Sequence, residues 1–231
     1  MTGKRPKMRQ KKSIPGCTNS GGAFPEKGTT LRGYESMRTR TRPVLCLCVL
    51  ALWGLCGVAE KDPSDPLTTV QSLLGAVRVL SETKDPKAEA EAVKQISGTF
   101  DVAGLSRACL RKTWEGLSAE EQKNFVSLFQ EVLEKIAYPK SAKFFTDTEV
   151  EVEEVIRENG KAEVSTLVVH PEEGEVEVGY CLELTGGTWL IEDILLDGVS
   201  LRLDIRSQAQ KILREESYED LKRRLREKLD E

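Results

Sequence analysis

Residues 148–195 read TEVEVEEVIRENGKAEVSTLVVHPEEGEVEVGYCLELTGGTWLIEDIL, and this stretch decides the fold. Apolar residues recur every second position in four runs, Thr148 to Arg157, Lys161 to His170, Glu175 to Leu184 and Thr188 to Leu195. That is the period of a strand with one face buried. The joints between the runs are short: Asn159-Gly160, Pro171 to Gly174, and Gly186-Gly187. Such joints suit hairpin turns, so the runs predict a four-stranded antiparallel meander. Its apolar face collects Val150, Val152, Ile156, Val164, Val168, Val178, Tyr180, Leu182 and Leu184, and its other face carries many glutamates and is expected to be largely wet.

Upstream the period is near 3.6. Asp65-Pro66 and Asp85-Pro86 each set an N-cap acceptor before a proline that is harmless at the first helical position, so two helices are expected to start there. The first carries Leu67, Val70, Leu74, Val77 and Leu80 at helical spacing, and a third helix is expected from Asp101 towards Lys112. Ser118 and Glu121 form a capping box ahead of Phe125, Leu128, Phe129, Val132, Leu133 and Ile136, one apolar stripe that Pro139 is expected to end. Downstream, Asp197-Gly198 is expected to turn, with Ser200 capping a helix that carries Leu201, Ile205, Ala209 and Ile212, and Ser217 with Asp220 caps a last one. The fold class is therefore α+β: a helical N-terminal half, the meander with helices mainly on one face, C-terminal helices, and an apolar cavity expected between sheet and helices.

The charge is unevenly spread. Residues 1–59 hold 11 basic and 2 acidic residues, so the head is +9 and the remainder −13. An acidic body repels phosphate backbones, which argues against a nucleic-acid partner. Within the head, Pro43 to Ala59 reads PVLCLCVLALWGLCGVA, uncharged, with Arg38, Arg40 and Arg42 before it and Gly57-Val58-Ala59 at its end. Those are the parts of a secretory signal peptide. The expected organisation is an extension over 1–36, mis-assigned or disordered, a signal peptide over 37–59 with cleavage before Glu60, and one domain over 60–231. Cys109 and Cys181 are the cysteines of that domain, and strand parity puts Cys181 on the polar face, so both are expected unpaired.

No catalytic constellation stands out. The body has one histidine, His170, and lacks HExxH, CxxC, GxSxG and a glycine-rich phosphate loop, so no enzyme, cofactor or metal is expected. The glutamates alternate along strands as a solvated face does.

Two groups of residues resemble a known family. The run WLIEDILLDGVSLRLDIRSQAQKIL, Trp189 to Leu213, is similar to the C-terminal signature of the MlaC family. Phe100-Asp101, Trp114, Leu117-Ser118, Gln122, Phe125, Phe129, Leu133 and Tyr138 match its helical half in order and spacing. MlaC proteins are periplasmic lipid carriers of the maintenance-of-lipid-asymmetry pathway, also called toluene-tolerance auxiliary components. The resemblance implies a periplasmic carrier that binds phospholipid tails and passes lipid between an inner-membrane ABC-type complex and an outer-membrane lipoprotein complex. A hopanoid-associated branch shares the signature, so a hopanoid-type cargo stays open, as does an exported adaptor with a dry core. On the carrier reading the tails would meet Phe125, Leu128, Phe129, Val132, Leu133, Ile136, Val150, Val152, Val164, Val168, Tyr180, Leu182 and Leu184, with Arg202 and Arg206 as candidate headgroup contacts.

Overall fold

The computed structural model describes residues 65–172 and 174–230; the expected extension and signal peptide lie outside the described residues. Helices α1 (Pro66–Glu82) and α2 (Pro86–Ser97) begin where the Asp-Pro pairs place them. Asp65 accepts from the Leu67 N–H at 3.1 Å and Asp85 from that of Lys87 at 3.2 Å. Asp101 caps α3 (Val102–Leu110) by accepting from Gly104 N–H at 2.8 Å. Arg111 then adopts φ 50°, which stops α3 short of Lys112 and starts a one-turn α4 (Lys112–Glu115).

The Ser118 capping box opens α5 (Ala119–Val132), but Pro139 does not end the helical path. A π turn over Leu133–Ala137 leads directly into α6 (Tyr138–Phe144), with Pro139 inside its first turn. The Tyr138 N–H donates to the carbonyl of Leu133, five residues back. The extra residue in that turn changes which face points inward, because one residue of an α-helix is worth about 100° of rotation. Proline is tolerated because the first turn of α6 needs no N–H from it.

The strands are β1 (Glu149–Glu158), β2 (Lys161–His170), β3 (Gly174–Thr185), β4 (Thr188–Leu196) and β5 (Val199–Ser200), antiparallel throughout and in sequence order. The sheet thus has five strands, not four. Asp197 and Gly198, at φ 47° and 81°, fold Val199–Ser200 back on Leu195–Leu196. A two-residue strand is too short to show a period. Two bulges also break the alternation read from sequence. One makes Glu153 the extra residue of β1, so Val155 pairs with Val164 and faces inward while Ile156 turns out to the other face. The other makes Glu192 extra in β4, which lets Trp189, Ile191, Ile194 and Leu196 share the inner face.

Helices α7 (Leu201–Glu215) and α8 (Tyr218–Leu229) complete the chain, each with its serine cap in place. Two apolar cores result. The first sets α1, α2 and α6 against the sheet around Val70, Leu73, Val77, Ile96, Val164, Val168, Leu182 and Ile191. The second is helical: Phe125 and Phe129 of α5 pack with Cys109, Leu110, Ala209 and Leu221. The α5 stripe therefore buries against α3, α7 and α8, where an apolar sheet partner was expected. Those helices carry stripes of their own, and the sheet face is already taken by α1, with Tyr138 and Ala142 of α6 in the same core.

The outer face is only partly wet. Glu149, Glu151, Glu175 and Glu183 are exposed, whereas Cys181 and Leu195 at its centre are buried. Cys109 is a free thiol, as expected, but Cys181 is disulfide-bonded, so that half of the expectation is corrected.

Candidate functional site

An apolar pocket of about 300 Å³ lies between the first helical layer and the sheet. α1 supplies Leu73, Leu74 and Val77, and α2 supplies Ile96, with Phe100 just beyond it. From α6 and its end come Tyr138, Lys140, Ser141, Phe144 and Phe145. The floor is Val178 and Tyr180 of β3 with Ile194 and Leu196 of β4, and Leu201 closes the side. Both irregularities of the fold build this wall: the π turn sets Tyr138 inward, and the β4 bulge brings Ile194 and Leu196 beside Tyr180.

Polar atoms in the pocket are few. Phe100 and Tyr138 stack at 6.1 Å, and the buried Tyr138 hydroxyl has no hydrogen-bond partner of sound geometry. Burial pushes its pKa up to about 12, so it stays neutral. Burial raises that of Tyr180 further, against a hydrogen bond with Thr166, whose own hydroxyl donates to the Val178 carbonyl at 3.1 Å.

A second recess of about 290 Å³ lies on the β1 side, lined by Gln71, Leu74, Gly75, Arg78, Phe145, Thr148, Val150 and Val152. Leu74 and Phe145 belong to both volumes.

The residues nominated from sequence divide among these places. Tyr180 lines the first pocket and Val150 and Val152 the second. Val164, Val168 and Leu182 are fully buried on the same sheet face, under the helices, and Leu184 is exposed at the far end of β3. Phe125 and Phe129 lie in the helical core, Leu133 packs against both cores, and Leu128, Val132 and Ile136 are half-buried along the same helix. Neither pocket is lined by Arg202 or Arg206. Arg202 pairs with Glu192 at 3.2 Å and with the buried Asp193 at 3.6 Å. Asp193 also accepts from the Ser200 hydroxyl at 2.6 Å and the Arg202 N–H at 3.0 Å, which ties the β4–β5 turn to the start of α7. Arg206 is half-buried near Cys109, whose pKa burial pushes up to about 11 against the opposing pull of that guanidinium.

Sequence reasoning passed over Leu73, Leu74, Val77, Phe100, Tyr138, Phe144 and Ile194 as ligand contacts. Leu74 and Val77 did stand in the α1 stripe, but a stripe does not say whether it meets protein or ligand. Among the described residues no group of His, Cys, Asp and Glu could hold a metal, and no helix is long and apolar enough to cross a membrane. His170 stacks on Phe144 at 4.9 Å and its Nδ1 accepts from the Glu172 N–H at 3.1 Å, which places it in the turn after β2.

A helix-covered antiparallel sheet with an apolar pocket between its layers makes this a domain of the α+β class. The chain belongs to the MlaC protein family, whose model matches residues 68–227. Among solved structures it is similar to the phospholipid-binding protein from Ralstonia solanacearum, determined in complex with a phospholipid at 1.53 Å. That protein is 18% identical, with a TM-score of 0.57 over 74% of this chain and 98% of the other, a likeness that establishes the shared fold. An Rd1NTF2 variant matches at a TM-score of 0.30 and 12% identity over 57% of this chain and 99% of the other, too loosely to carry an argument. No curated protein matches.

Proposed function

We propose that this chain is an exported phospholipid carrier: its signal peptide, residues 37–59, directs it to the periplasm, and the domain over 60–231 holds acyl tails in the pocket beneath β3 and β4. The observation that carries this reading is the pocket itself, about 300 Å³ walled almost wholly by aliphatic and aromatic side chains in a member of the MlaC family. Exposing a tail to water costs roughly 0.8 kcal/mol per methylene, so a tail of about fifteen carbons resists transfer by on the order of 12 kcal/mol. A soluble protein that hides the tail removes that barrier without any covalent step. Tyr180 and its neighbours on the inner sheet face touch the tail, and Val164, Val168 and Leu182 flank them on that face. The cargo passes between an inner-membrane ABC-type complex and an outer-membrane lipoprotein complex.

Gentle, detergent-free purification of the exported protein followed by native mass spectrometry and lipid extraction tests this. Phospholipid near one molecule per chain is expected. Protein that is folded, free of lipid, and unable to take lipid from vesicles would overturn it.

A further inference from the structure

Of the side chains that line the pocket beneath β3 and β4, those with polar atoms are Tyr138, Lys140, Ser141 and Tyr180. Tyr180 is satisfied within the protein, since its hydroxyl bonds with Thr166. The others all fall in the first turn of α6, where Lys140 and Ser141 are exposed and Tyr138 keeps only 5% of its surface exposed. A cargo with one polar end is therefore oriented by this pocket. Its polar end lies at that turn, and its hydrocarbon lies against the aliphatic and aromatic remainder of the wall.

The Tyr138 hydroxyl is buried and has no hydrogen-bond partner of sound geometry among the described residues. The polar side chains that act on it, Ser97 and Glu134, are engaged with each other and with α5. The Ser97 hydroxyl donates to Glu134 Oε1 at 2.8 Å, and Gln130 Nε2 donates to the same oxygen at 2.8 Å. A buried hydroxyl left unpaired is unfavourable, so this position calls for an acceptor that the protein does not supply. Tyr218 holds the other such hydroxyl among the described residues, but it belongs to the helical core and lines neither volume.

The chemistry of the missing acceptor is narrow. Burial keeps the Tyr138 phenol neutral, so its proton is there to be donated. An anion would have to shed its water to reach this depth, and a hydrocarbon offers no acceptor at all. The carbonyl oxygen of an ester is neutral, accepts strongly, and in a lipid stands between the polar end and the tail. That order of charged end, ester and hydrocarbon is the order of exposed Lys140, buried Tyr138 and apolar wall.

On the carrier reading, which this rests on, we infer that Tyr138 is a specificity-determining residue whose hydroxyl donates to the carbonyl oxygen of the ester joining a tail to the cargo's polar end. The site therefore selects ester-linked over ether-linked lipid.

The test removes that hydroxyl and, separately, that carbonyl. Exported wild-type protein and a Tyr138→Phe variant are stripped of lipid, melted, and offered vesicles of dioleoyl phosphatidylglycerol or of its dioleyl ether analogue, which lacks the ester carbonyls; retained lipid is counted by native mass spectrometry. Wild type should retain the ester lipid about five-fold better than the ether lipid, the scale of one buried hydrogen bond. Tyr138→Phe should melt at or above the wild-type temperature and hold the two lipids within about two-fold of each other, having lost ester lipid alone. With carbon-13 at the ester carbonyl, the stretching band of the bound lipid should lie at lower frequency in wild type than in the variant. Absence of an ester preference in wild type, its full survival in Tyr138→Phe, or identical carbonyl bands would overturn the inference and leave the carrier reading intact. A variant that melts well below wild type, or loses both lipids equally, also overturns it, because the hydroxyl then serves the protein and not the cargo. Wild-type protein that retains neither lipid overturns the carrier reading, and this inference with it.

Discussion

A buried charge separates wall from core. Val164 sits at the centre of β2 with 0% of its surface exposed, whereas Ile194 is half-buried on the pocket wall. Val164→Asp places a carboxylate where no donor or water reaches it, at a cost of roughly 3–5 kcal/mol. For a domain of this size each kcal/mol moves the melting temperature by roughly 2–4 °C, so a fall of about 6–20 °C is expected. Ile194→Asp puts its charge at the edge of an open volume that water can enter, and should cost only about 1–2 kcal/mol. Its effect falls on the cargo. If the carboxylate and its hydration displace three methylenes of a tail, about 2.4 kcal/mol of binding is lost, near fifty-fold in affinity. Circular-dichroism melting and extraction of co-purified phospholipid, run on both variants, give the comparison. The expected pattern is an Ile194→Asp protein that stays folded but empty and a Val164→Asp protein that is strongly destabilised. Equal destabilisation of the two, or full lipid retention by Ile194→Asp, would refute the distinction.

Three further outcomes follow from local contacts. Asp193→Ala leaves the Arg202 N–H and the Ser200 hydroxyl without their acceptor and the Arg202 guanidinium with Glu192 alone, so a loss of about 2–4 kcal/mol is expected in denaturant unfolding, with Asp193→Asn recovering part of it. Cys109, buried and with its pKa pushed up to about 11, should stay unalkylated by iodoacetamide at pH 8 in folded protein and react fully in urea. Glu163 has its pKa raised, first by burial and then by the charges of Glu154 and Glu177. Its ionised form is therefore disfavoured in the folded state, and its contribution to stability falls as pH rises from the ordinary carboxylate value through the raised one. Glu163→Gln should raise the melting temperature at pH 7 and flatten its change between pH 4 and 7; a variant that melts lower at pH 7 would count against this cause.

Most of the helices and the four long strands were legible because each is specified locally. Asp-Pro pairs and serine caps set five helix starts, and Asn159-Gly160 and Gly186-Gly187 supply the positive φ of tight hairpins. The meander needed nothing more, since strands joined by such turns have only their neighbours to pair with. Family membership was legible in Trp189 to Leu213 for a related reason. Asp193, Gly198 and Ser200 make one local knot of cap and turn, and a knot of that kind leaves a fixed spacing in the chain.

Other features depended on groups far apart in sequence. Whether the α5 stripe met the sheet or other helices turned on competition with α1 and α6 for the same apolar face, and periodicity carries no record of that competition. The bulges at Glu153 and Glu192 and the π turn before Tyr138 each insert one residue, and one residue is enough to move every later side chain to a different face. Ile156 turned out, and Tyr138 and Ile194 came to the pocket for that reason. Burial itself is a property of the assembled layers: an apolar side chain reads the same in sequence whether it fills a dry core, as Val164 does, or lines an open volume, as Ile194 does. The chain by itself thus determined its long helices and four long strands, their order and its family. Tertiary packing decided where the space is, because space is what remains after distant elements have met.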